Sequence, residues 1–60
     1  MTFGEKFKQR REKKGLTQLE VAVEFRLAPA TIWRWEAERA IPHRSMRVYW
    51  LKRLHALEAR

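Results

Sequence analysis

Residues 15–37 read GLTQLEVAVEFRLAPATIWRWEA, and the punctuation inside this stretch decides the fold. Thr17 followed by Glu20 is a capping-box pattern, so a helix starts at about residue 18. Val21, Ala22 and Phe25 share one face of that helix, with Glu20 and Glu24 opposite. Pro29 suits the first position of a further helix and no later one, because its ring fixes φ and it has no N–H. Only the three residues Arg26 to Ala28 then separate the two helices. So short a link forces a steep crossing, the shape of a helix-turn-helix unit.

Working outward, Thr2 with Glu5 repeats the capping box, and Gly15 is a natural C′ residue. Lys13 and Lys14 suit the negative end of a helix dipole. Helices are therefore expected over about residues 3–14, 18–25 and 29–37. Ser45, a good N-cap, predicts a fourth over about residues 45–58, with Val48, Leu51, Leu54 and Leu57 as its core-facing stripe. No stretch alternates with period two, and there is no repeat or low-complexity tract. The expectation is one domain over residues 1–60, all-α, with four or five helices and a helix-turn-helix at its centre.

Composition narrows the function. A chain of 60 residues lies near the lower limit for folding without a staple, and it has no cysteine to supply one. A thiolate zinc site is excluded, and His43 and His55 are too far apart to suggest a local metal pair, so neither metal nor cofactor is expected. The core must come from apolar side chains, among them three Trp and three Phe. Fourteen Lys and Arg against seven Glu give a net charge of +7. Residues 1–14 carry six basic and two acidic groups, residues 15–38 two and four, and residues 39–60 six and one. Two basic ends flank a mildly acidic middle, which suits either a polyanionic partner or a well-solvated surface. No apolar run approaches a membrane span or signal-peptide core, so a cytoplasmic protein is expected, nucleoid-associated if its polyanionic partner is DNA.

Stepping round the third helix by about 100° per residue groups Thr31, Ile32 and Trp35 on one side. Ala30, Trp33, Arg34 and Ala37 fall on the other. Such a helix can be an ordinary amphipathic one with Arg34 in solvent. It can equally be a reading helix, with small residues allowing close backbone approach and one bidentate donor reaching a base edge. No nucleophile and base stand together, and Glu20 and Glu24 have no histidine beside them, so an enzyme is not expected.

GLTQLEVAVEF, then RLAPATIWRWE, then Pro42, resembles the helix-turn-helix domain of lambdoid phage repressors and Cro proteins, the XRE-like family. The matching residues are Arg11, Gly15-Leu16-Thr17-Gln18, Ala22, Thr31-Ile32 and Trp35-Glu36, and the likeness runs roughly from residue 4 to 54. Three departures stand out. Arg26 occupies a turn position where the family usually has Gly, Ala28 replaces a Ser or Thr cap, and Arg10 stands where the family often buries Leu.

The resemblance implies a sequence-specific regulator on double-stranded DNA, a Cro-like repressor on a two-fold operator. Pro29, Ala30, Trp33 and Arg34 would face base edges. Gln18 would hold a backbone phosphate, as would the main-chain amide of Ala37, with Lys14, Arg39 and Arg44 candidates for flanking phosphates. Arg11 and Glu36 would form a structural ion pair. A homodimer, formed alone or on DNA, follows because one reading helix covers only a few base pairs. Tyr49 with Trp50, or Leu19 with Val23, are candidates for its contact, and either pair could equally be core. The alternative is a protein-interaction module, an antitoxin or adaptor, using the same fold to hold a protein partner.

Overall fold

The computed structural model describes all of residues 1–60. Four α-helices follow one another, with no strand: α1 Phe3–Lys13, α2 Gln18–Phe25, α3 Pro29–Glu36 and α4 Arg44–Ala56. The first two start on complete capping boxes. Thr2 Oγ1 accepts the Glu5 N–H while Glu5 accepts the Thr2 N–H, and Thr17 and Glu20 do the same. α3 starts without a side-chain cap, Ala28 being unable to supply one, and relies on Pro29 in its first turn.

α1, α2 and α3 all stop by one device. Leu16 N–H donates to Arg11 O and Gly15 N–H to Glu12 O; Leu27 N–H donates to Ala22 O and Arg26 N–H to Val23 O. After α3, Arg39 N–H donates to Arg34 O and Glu38 N–H to Trp35 O. These paired bonds are Schellman motifs, and each needs one residue in the left-handed region. Gly15 at φ 70° takes it freely, but Arg26 at 56° and Glu38 at 60° do not. Each of those two costs the fold on the order of 1 kcal/mol.

Phe3, Phe7, Leu16, Val21, Ala22, Phe25, Ile32, Trp35 and Leu54 form the buried core. Phe7 stands edge-on to both Phe25 and Trp35, the favourable arrangement for aromatic rings. α1 crosses α3 at Gly4, where a Cβ would run into the Trp35 carbonyl oxygen. Close approach there requires glycine.

α4 departs from the sequence expectation in three ways. It begins at Arg44, because His43 rather than Ser45 is the cap: His43 Nδ1 accepts the Ser45 N–H at 3.2 Å. Val48, expected inside, is 61% exposed, while Trp50 packs against Phe25 and Trp35 with ring centroids 5.2 and 5.3 Å away. The reason is geometric. Residues three apart drift about 60° per step round a helix, so Val48, Leu51, Leu54 and Leu57 cannot all face one way. Trp50 and Leu54, four apart, can, and Leu57 lies beyond the helix end. Trp50 is therefore half-buried core, not an available contact surface; Tyr49 beside it stays exposed.

Arg53 fastens the other edge of α4. Its guanidinium lies 4.8 Å from the Phe25 ring centre and donates to Glu24 O at the end of α2. The segment after α4 folds back against the α1–α2 turn, where Arg60 N–H donates to Lys14 O at 2.6 Å and the Arg60 guanidinium pairs with Glu20. No helix is long and apolar enough to cross a membrane.

Candidate nucleic-acid interface

α3 turns Ile32 and Trp35 into the core. Pro29, Ala30, Trp33 and Arg34 consequently share its exposed side, with Trp33 50% exposed. The Arg34 guanidinium has no partner within the chain, the two ion pairs being Arg11–Glu36 and Arg60–Glu20. Small side chains at the start of the face and one free planar fork further along leave room for a close, directional contact. Arg39 lies exposed in the turn after α3 and Arg44 at the start of α4, whereas the Ala37 amide, expected to hold a phosphate, instead closes the last turn of α3 on Trp33 O at 2.9 Å.

One carboxylate sets how this helix stands on the body. Glu36 accepts Arg11 Nε at 2.7 Å, a second Arg11 guanidinium N–H at 2.9 Å and Gln18 Nε2 at 3.1 Å. Arg11 also donates to Leu16 O at 2.8 Å. The bidentate contact to Glu36 holds the Arg11 pKa above its ordinary value, against the opposing effect of burial. Its charge is thus permanent under any working condition. α1, the start of α2 and the end of α3 are locked together through the one side chain.

Two of the side chains singled out for phosphate contact are engaged within the chain instead. Gln18 donates to Glu36, which ties the first turn of α2 to the last turn of α3. Lys14 is remote from the α3 face in its contacts, with Nζ donating to His55 O at 2.9 Å and Leu57 O at 2.6 Å. It neutralises the carbonyl end of α4 and clamps it to α1. The sequence reading missed Glu38, whose carboxylate accepts the Gly4 N–H at 3.3 Å and so serves the start of α1 from the end of α3. Nothing local to Glu38 signals this, because the partner is 34 residues away. No group of three His, Cys, Asp or Glu is placed to hold a metal ion.

A family model described as helix-turn-helix matches residues 7–46, two thirds of the chain. The chain belongs to the XRE-like helix-turn-helix family. No curated protein and no solved structure matches it. Family membership makes the protein a DNA-binding regulator of transcription in general terms, with double-stranded DNA as its partner. The matched residues run from the middle of α1 through α2 and α3 to the start of α4. Trp50, Leu54 and the strapped segment after them lie outside the match.

Proposed function

We propose that the protein is a non-catalytic, sequence-specific repressor of the Cro type, which lays α3 in the major groove of a two-fold operator. The exposed side of α3 carries the reading: Arg34 is unpaired and projects from a face whose other members are Pro29, Ala30 and Trp33. Arg34 acts as the base reader through the O6 and N7 of a guanine, while Pro29, Ala30 and Trp33 offer apolar contact to thymine methyls and sugars. The exposed N–H groups at the start of α2, with Arg39 and Arg44, engage phosphates. A second copy meets the exposed pair Leu19 and Val23, 58% and 66% accessible, and places its own α3 one helical turn along the duplex.

Selection of bound sites from a random duplex library, followed by gel shift, tests this. Arg34→Ala is expected to cost about 1–3 kcal/mol on the selected site and to relax one G·C preference per half-site. Arg39→Ala, a backbone contact, should weaken all sequences alike and lower the salt slope by about one unit. Equal losses on selected and random duplexes for Arg34→Ala would remove it as a base reader.

A second reading, a module that holds a protein partner, draws on the groove beside Leu19 and Val23. That groove, about 580 Å³, is floored by Leu16, Ala56 and Leu57 and edged by Glu20, Glu24 and Glu58. Under this reading a gel shift at moderate salt would vanish on adding heparin, whereas sequence-specific binding survives it.

A further inference from the structure

α1 and α4 lie side by side and run the same way. Lys14 reaches His55 and Leu57 at one end, and Arg10, a turn earlier on α1, borders a groove with Val48, Leu51, Lys52 and His55. This groove has a volume of about 410 Å³. Lys6 and Lys13 fall on the same side of α1 as Arg10, one turn to either side of it. Arg10 and Lys52 thus line one trough together with His55, and Lys6 and Lys13 extend its positive charge along α1 to either side. None is in an ion pair.

No glutamate offsets them. Glu5 and Glu12 lie roughly 140–160° round α1 from Arg10. Gly4 and Arg11, the α1 residues that meet α3, lie roughly 100–120° round from it, so the trough opens on a different side from the reading helix. Lys6 with Arg10, and Arg10 with Lys13, are like-charge neighbours at helical spacing, which disfavour the helix unless an anion relieves them.

We propose that this trough is a second phosphate-backbone site, which takes a second DNA segment while α3 occupies the first, so that one domain bridges two segments. The proposal rests on the reading of α3 as the DNA-binding helix. A single duplex does not serve both sites, because its persistence length of about 500 Å prevents it from folding round a body only 27 Å long. The occupant is nucleic acid rather than a lipid surface, since the apolar floor consists of Val48 and Leu51 alone, set between cations. Membrane-surface helices need a broad apolar face.

A capture experiment with the full chain tests it at 0.15 M salt: one duplex fixed to beads, a second labelled and free. The wild-type protein should carry the labelled duplex onto the beads. Arg10→Gln with Lys52→Gln should cut that capture about tenfold, by loss of two phosphate contacts. The same double variant should bind a single duplex within about threefold of wild type, because exposed charges are screened beyond about 8 Å. Both side chains are exposed, and unchanged circular dichroism melts would show the fold intact. Wild-type protein that shifts one duplex but captures no second one would overturn the bridging site and leave α3 standing. Failure to shift any duplex would overturn both. Undiminished capture by the double variant would also overturn the proposal, since it would mean that paired copies each hold one duplex through α3. So would undiminished capture accompanied by lost binding to phosphatidylglycerol vesicles, which would assign the trough to a lipid surface.

Discussion

α3 is held to α1 by directional polar contacts added to the packing of Phe3 and Phe7 on Trp35, whereas α4 is held to the same body mainly by an apolar seam. At the first junction Glu36 takes donors from Arg11 and Gln18, Glu38 takes the Gly4 N–H, and glycine lets the backbones close in. At the second, Trp50 and Leu54 pack on Phe25, Trp35 and their neighbours, with Arg53 stacked at the edge and Lys14 at the end. Burial of apolar area is large but not directional, so it fixes that a helix is present more firmly than how it is turned. Hydrogen bonds weaken steeply when bent or stretched, so bidentate pairs fix orientation. The helix that must present a face is the one given the polar junction.

The largest test lies in the seam. Leu54→Ala removes a fully enclosed side chain and should cost about 3–5 kcal/mol in a urea melt. Total stability for a domain of this size is only about 3–9 kcal/mol, so the variant should lose a third of it or more. A loss under about 1 kcal/mol would mean that α4 is not part of the cooperative unit.

The polar junction should respond differently, through coupling. Arg11→Ala leaves the Glu36 carboxylate, 4% exposed, with Gln18 as its remaining donor, and is expected to cost about 2–4 kcal/mol. Arg11→Ala with Glu36→Ala should cost less than the two single losses together, because neither charge is then left alone. Strict additivity in the double-mutant cycle would dissolve the contrast between junction and seam.

The two strained helix ends sharpen it further. Arg26 points to solvent with no side-chain partner, so Arg26→Gly should stabilise the fold by about 1 kcal/mol in thermal melts. Glu38→Gly relieves similar strain but surrenders the bond to Gly4, so its net gain should be smaller or absent. Equal gains would show that Glu38 contributes nothing to holding α1.

The smallest effect concerns pH. Hydrogen bonds from the Thr2 and Thr17 backbones hold the Glu5 and Glu20 carboxyls below their usual range. A carboxyl lowered on folding stabilises above its unfolded value, about 4.3, and that contribution is lost as pH falls through the lowered native value. Stability should therefore decline from about pH 4 downward, and Glu20→Gln should flatten the decline. An unchanged acid limb would separate the capping boxes from acid sensitivity.

What the sequence determined by itself is what acts within about four residues. Thr2 with Glu5, Thr17 with Glu20, Pro29 and Gly15 mark helix ends because their partners are one turn away. The outward grouping of Ala30, Trp33 and Arg34 was legible for the same reason, since periodicity along one helix needs no knowledge of its neighbours. Only the tertiary structure decided that Lys14 clamps α4, that Glu38 serves α1, and that Trp50 rather than Val48 turns inward. The Lys14 and Glu38 contacts span 34 to 43 residues and depend on which helix meets which. The rotation of α4 depends on the same thing, since Val48 and Trp50 lie about 160° apart round it and only one of them can turn inward. The aromatic gap between Phe25 and Trp35, filled by Trp50, chooses between them.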